Sequence, residues 1–323
     1  MIRQVLALSG FVLIAACGST NPFTTEEEET TGETGGETTT ETSTIPEELS
    51  GDLESVVYSP GDQTITVTGM TLDEVPVETV YRRNTSLDRN GYIAYTAQDD
   101  PLDRHFTAYV KQSNNSGSVR AGAISDGGQF NRVFQGGFYE RDGEFTPPTP
   151  DEGLVSYAGT YIGLLNGLGD GGDLLPITDP TVPVELHPGQ SGTIVGNIFF
   201  NVDFNNNTIN GGITDRVWTQ NGSAEESIAL ISTSIEDDGT FLGSAEFDGE
   251  VGTSIGSYGG IFGGPEADAV GGVVALNEWD GPGDVNHGFD SEIERGVFVL
   301  DKCGTTGANA TVCASTNPGS GTP

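Results

Sequence analysis

Residues 258–276 read YGGIFGGPEADAVGGVVAL. Tyr258 to Phe262 is a short apolar run threaded with glycine, which suits a strand that must pass close to its neighbours. The glycine pair before Pro265 breaks it. Pro265 suits the first position of a helical turn, and Glu266 and Asp268 suit that turn's positive end. Gly271 and Gly272 then release the chain into a second strand, GVVAL. Strand, tight break, one turn and strand again form a unit of an antiparallel sheet, with no room for a long helix.

The same grammar extends in both directions. Upstream lie VSYAGTYIGLLNG, GTIVGNIFFNVDF, TINGGITDRVW, SIALISTSI and GTFLGSAEFDG; downstream lies RGVFVLDK. With the two strands of 258–276 they make eight strand-like runs in residues 150–302. NNN (205–207), EDDG (236–239) and FDGEVG (247–252) sit where hairpin turns belong. Eight antiparallel strands can close into a barrel and so abolish exposed edges. Gly192, Gly196, Gly211, Gly212, Gly243, Gly259 and Gly260 allow the bends and bulges that closure needs. The strands are short, carry scattered acidic residues and show no aromatic girdles, which fits a soluble barrel rather than a membrane-spanning one. Residues 51–145 hold shorter β runs: VVYS and QTITVTG around Pro60, Gly61 and Asp62, then YIAYTAQ, HFTAYVKQ, SVRAGAIS and NRVFQGGFYER. Phe106, Ala108 and Val110 alternate with Thr107, Tyr109 and Lys111, as a half-buried strand would. TPPTP (146–150) separates the two regions.

The segment around Pro265 resembles the FGP-x-A-x-E-x-GG signature near the end of barrel domains in transferrin-binding protein B-like surface lipoproteins. The matching positions are Phe262, Gly264, Pro265, Ala267, Gly271 and Gly272; this chain has Ala269 at the Glu position and one extra glycine. AGTYIG opening the barrel and RGVFVLDK closing it agree in order. The resemblance implies an all-β protein: a small β-rich handle domain, then an eight-stranded antiparallel barrel, with partners bound through variable loops. The signature marks backbone geometry, so it assigns no ligand-binding residue here. One handle–barrel unit is present, whereas the transferrin receptors of this family carry two.

Residues 1–16 have a basic start at Arg3, an apolar stretch from Val5 to Ile14 and small residues before Cys17. The stretch is too short for a permanent transmembrane helix. Ile-Ala-Ala-Cys resembles the lipobox of bacterial lipoprotein signal peptides; the competing reading is an ordinary secretory signal. The resemblance implies lipidation (palmitate among the chains) at Cys17. Gly18 after it favours the outer membrane, lipid-anchored and facing the cell surface. Residues 17–50 hold nine Glu and many Thr, too few apolar groups to offset ordering, and read as a disordered tether. Export places Cys303 and Cys313 in an oxidising compartment, where the pair favours a disulfide that closes a flexible tail, 303–323. A CxxC-type metal or redox pair has different spacing.

The 323 residues carry 48 acidic and 12 basic side chains, a net charge of −36, which excludes a nucleic-acid binder. His105, His187 and His287 are far apart, and no catalytic constellation is present, so the chain does not read as an enzyme. Carboxylates and amides gather in 169–175, 202–207 and 279–286, but turn chemistry explains them as well as calcium does. No cofactor or metal site is assigned. Residues 51–141 are nearly balanced, with eight basic against twelve acidic side chains; residues 142–323 hold three against 27. Arg82, Arg83, Arg89, Arg104 and Arg120 either meet a polar or acidic partner or belong to an acidic protein adapted to salt. The expected function is capture of a protein or an iron- or haem-type ligand, with an outer-membrane transporter as a further partner. The alternative is a structural or adhesion lipoprotein with no transported ligand.

Overall fold

A computed structural model describes residues 40–41, 45–71, 77–149, 154–277 and 292–316. The signal segment, Cys17, most of the acidic run, 279–286 and His287 lie outside the described residues. The fold is all-β and has two units.

The first unit is a meander. Its strands are β1 (Thr40–Glu41), β2 (Leu53–Ser59), β3 (Thr64–Gly69), β4 (Glu78–Arg83), β5 (Ile93–Ala97), β6 (Phe106–Gln112), β7 (Val119–Asp126) and β8 (Gln135–Asp142). β2 to β8 pair in sequence order, and β1 adds to the outer edge of β8. The sheet curls until its first and last strands approach: Asp52 N–H donates to the Gln135 carbonyl, and Gln135 N–H donates to the Asp52 carboxylate, both at 2.9 Å. Pro60, Gly61 and Asp62 do form the first hairpin turn.

The second unit is a closed barrel. It comprises β9 (Leu154–Leu168), β10 (Ser191–Asp203), β11 (Thr208–Trp218), β13 (Ile228–Ser234), β14 (Thr240–Phe247), β15 (Ser254–Gly263), β16 (Ala269–Asn277) and β17 (Ile293–Asp301), with a two-residue β12 (Ser223–Ala224) beside β11. Closure is explicit: β10 pairs with both β9 and β11, and β17 pairs with β9. Register shifts fall at Ser191/Gly192 and across Gly196, so both glycines sit at bulges.

Alternation decides what each barrel face meets. On β16, Val270, Val274 and Leu276 point inward; on β17, Phe298 and Leu300 do so. They join Tyr157, Phe200, Phe241, Tyr258 and Phe262 in a filled interior, with Phe200 5.0 Å from Phe298 and 6.0 Å from Phe241, centroid to centroid. An ion pair sits inside. Arg216 Nη2 donates to Glu294 Oε2 at 2.5 Å, and Tyr161 Oη donates to Glu294 Oε1 at 2.6 Å. Burial, with the Glu294 charge beside it, raises the Tyr161 phenol well above its ordinary value. An apolar interior with Asn210, Ser232 and Ser234 exposed on the outside is the reverse of a water-filled membrane barrel.

Much of the outward face of β9 and β15–β17 is not solvated. Ile162, Leu164, Ile261, Val273, Val297 and Val299 pack with the handle in one shared core. β7 and β8 lie across those strands. Tyr92 Oη crosses the seam to the carbonyls of Thr160 (2.8 Å) and Val297 (3.2 Å).

Three expectations need correction. First, residues 45–50, assigned to the tether, are ordered: α1 (Glu47–Ser50) buries Leu49 completely. Second, the tail is not flexible across 303–316. Cys303 and Cys313 are disulfide-bonded, and α2 (Ala310–Thr316) packs on β9 and β10. Third, β6 is not half-buried; Phe106 through Val110 are all buried, because the handle's interior takes one face and the barrel side the other.

Candidate ligand-binding surface

The signature residues lie at the end of β15, in the turn that follows it and in β16. Phe262 is fully buried in the barrel core, and Pro265–Ala267 form a single 3₁₀ turn. The turn is less regular than expected, since Glu266 and Ala267 adopt left-handed φ of 55° and 49°. Gly264, at φ 76°, precedes it. Gly271 and Gly272 do not release the chain into β16; they lie within it. A Cβ on Gly272 would come 2.1 Å from the Gly259 carbonyl, and one on Gly271 would come 2.5 Å from Val119 of the handle. Asp268 and Asp301 then receive the handle loop after β6: Asn114 and Asn115 donate to Asp301, and Asn115 and Ser116 to Asp268.

The surface that presents unsatisfied apolar groups lies elsewhere, where handle loops meet the long β9–β10 connection. Residues 126–134 form a second, very tight hairpin. Gln129 and Arg132 exchange two backbone hydrogen bonds at 3.1 Å, and the residues between them, Phe130 and Asn131, both have φ of 56°. That backbone favours Asn or Gly, and a phenylalanine there stores about 1–3 kcal/mol of strain. Phe130 is 54% exposed.

Strain of this kind persists only where the surroundings impose it. Arg104 supplies the clamp. Its guanidinium donates to the carbonyls of Arg132 (2.9 Å) and Gln129 (2.8 Å), pairs with Asp126 and lies over the Phe134 ring at 4.7 Å. Asp126 also accepts from the Phe134 and Gly128 N–H groups. Burial still holds its carboxyl above the ordinary range, outweighing those bonds and the Arg104 charge.

The barrel loop is tied to this hairpin. Gln129 Nε2 donates to the carbonyls of Leu102 and Leu186, each at 2.8 Å, joining three loops through one amide. Gly189 N–H donates to the Gly128 carbonyl at 2.9 Å. Further along, the Asp173 carboxylate meets His105 Nε2 (2.7 Å) and Asn84 Nδ2 (2.6 Å), and Leu175 N–H donates to Gln98 Oε1. The braces are polar and mostly sheltered, while several of the side chains carried outward are large and apolar. Beside Phe130 these are Leu102, Leu168, Leu175, Val184 and Leu186, each at least 39% exposed.

The candidates named from sequence fall differently. His105 is buried as a brace, and His187 lies in the β9–β10 connection, whose braced end starts two residues later. Of the five arginines, four are engaged internally: Arg83 with Asp88, Arg89 with Tyr109, Arg104 with Asp126 and Arg120 with Glu140. Arg82 is exposed. In 202–207, Asp203 accepts from Asn205 N–H and from Asn206 N–H and Nδ2, which holds its carboxyl below the usual range. In 169–175, Asp170 accepts from Gly172 and Asp173 serves as the brace described above. Among the described residues, no group of three or more His, Cys, Asp or Glu is gathered as a metal would require. The Phe130 hairpin is not legible as a site, because phenylalanine is not a turn residue and NRVFQGGFYER reads as a strand from Asn131 onward, where the structure has the turn.

No family model matches the chain, and no curated protein matches it in sequence. Solved structures similar to it include structures of transferrin-binding protein B. Intact, two-lobed Ap-TbpB shares 13% identity over 77% of this chain and 55% of its own, at a TM-score of 0.35. Isotype 1 transferrin-binding protein B from serogroup B Neisseria meningitidis shares 16% over 77% and 52%, at 0.32. A point mutant of the protein from Actinobacillus pleuropneumoniae H49 shares 16% over 76% and 96%, at 0.34. The chain spans about half the length of the first two.

Proposed function

We propose that this chain is an outer-membrane lipoprotein, anchored through Cys17, that captures a protein ligand on the surface built by residues 126–134 of the handle and 169–190 of the barrel. The observation that carries this reading is Phe130. A large aromatic is held in a strained backbone, clamped by a half-buried arginine paired with a buried aspartate, and left half exposed. Rigid aromatic anchors of this type contribute disproportionately to protein association, because little side-chain entropy is lost on docking. The filled barrel interior favours a protein over an iron- or haem-type ligand, since a small ligand needs a concave site and the aromatic core occupies the lumen. An outer-membrane transporter as recipient belongs to the same reading, as does the surface-facing location.

The test is photo-crosslinking on intact cells, with a photoreactive phenylalanine at position 130 and, as control, at the exposed Val57 of β2. Transferrin is the first probe, because the similar structures are named for it; the fluid bathing the cells is the second. Capture predicts a discrete adduct from position 130 and none from 57. Adducts from neither position favour the adhesion reading. Phe130→Gly separates presentation from folding: glycine relieves the left-handed strain, so the variant should melt no lower than the parent while losing the adduct.

A further inference from the structure

The seam between handle and barrel contains a piece of chain that belongs to neither sheet. Residues 45–52 run from Ile45 through α1 to Asp52. Leu49 is fully buried, and its side chain lies over Gly259 of β15, where an added Cβ would stand 2.6 Å from Leu49 Cδ1. Arg295, on the outer face of β17, donates to the carbonyls of Glu48 (2.6 Å) and Leu49 (3.3 Å). Burial lowers Arg295 to about 10, against the opposing pull of Asp52. On the handle side, Asp52 is bonded to Gln135 through both backbone and carboxylate, and its carbonyl accepts from Met70. Ser50 lies against Gly136, where a Cβ would be 2.3 Å from its carbonyl. Eight residues thus bridge β8 and Met70 of the handle to β15 and β17 of the barrel. A buried guanidinium in the seam takes these backbone acceptors from them, and burying it without acceptors would be costly.

We propose that residues 45–52 act as a strap that fixes the handle at one angle on the barrel, so that the handle loops 126–134 and the barrel loop 169–190 stay aligned. The strap's bearing on ligand capture rests on the reading given above; the angle itself does not. With the strap displaced, the seam keeps its apolar contacts but loses the polar lock, and the two units rock about the remaining contacts.

The experiment uses the full chain with nitroxide-bearing residues introduced at Val57 and Leu242, both exposed and one on each unit. Pulsed dipolar distances are compared in the parent, Arg295→Met and Leu49→Asp. Arg295→Met keeps the bulk and removes the donors, so it is the variant expected to fold without difficulty. The parent should give one narrow distance peak. Each variant should broaden it about twofold or add a second peak. The double variant should broaden it no further than Leu49→Asp alone, because both act through one contact. An unchanged narrow peak in folded Arg295→Met overturns the strap. Separate failure of the position-130 adduct, with the distances behaving as stated, would count against ligand capture and leave the strap standing.

Discussion

The barrel and the handle are both antiparallel meanders, yet they bury their apolar residues in opposite ways. The barrel closes on itself and keeps an aromatic core inside; its own alternation suffices to satisfy Phe200, Tyr258 and Phe298. The handle curls without closing. Its core runs on into the outer face of β9 and β15–β17, so Ala121, Ala123, Val273 and Val297 belong to one cluster. A closed sheet can stand alone, whereas an open one must borrow a wall. The handle is therefore the dependent partner, and loops that need to vary can be mounted on it without endangering the barrel.

The strongest way to break this asymmetry is to hollow the barrel. Phe200→Ala removes a fully buried ring from the centre of the interior and should cost about 3–5 kcal/mol. Because the handle leans on the barrel, both units should melt together at a lower temperature by calorimetry. A handle that survives the barrel's loss would reverse the dependence. Ile162→Ala takes a side chain from the shared wall instead, at about 2–4 kcal/mol. Here the handle should loosen first, giving a separate early transition and faster amide exchange in β6–β8, while β10–β14 keep their protection.

A smaller effect sharpens the seam's electrostatics. Lys111 sits over the Tyr92 ring at 5.0 Å, and burial lowers its amine to about 8, against the pull of Asp301. The folded protein releases this proton more readily than the unfolded chain, whose lysine titrates near 10.4. The unfolded state binds more protons between those values, so stability should rise from about pH 8 to about pH 10.5. Lys111→Met should raise stability at pH 7 by about 1–2 kcal/mol and flatten that rise relative to the parent. An unchanged pH profile would place Lys111 in water rather than in the seam.

Much of the barrel was readable because its physics is local. Period-two alternation, turn residues at 205–207 and 236–239, and Gly192 and Gly196 at the bulges are all written within a few residues of where they act. The handle was less legible for the complementary reason. β6 and β7 are buried on both faces, so the Thr107 and Lys111 side of the pattern promised a solvent that the barrel displaces. β4, reading ETVYRR, carries too many polar groups to stand out as a strand. Leu49 was lost among acidic neighbours, although it is among the most deeply buried residues of the chain. Phe130 could not be found at all: its exposure comes from a clamp made by Arg104, 26 positions earlier, and nothing in QFNR announces a left-handed phenylalanine.

One property of the closed sheet reaches beyond this chain. The barrel's first and last strands are hydrogen-bonded neighbours, with Val297 opposite Ile162 and a further bridge from Tyr157 to Lys302. The points where the polypeptide enters and leaves the barrel therefore lie side by side. Such a unit can be spliced into a host loop, re-cut to begin at another turn or repeated along a gene without re-threading its interior.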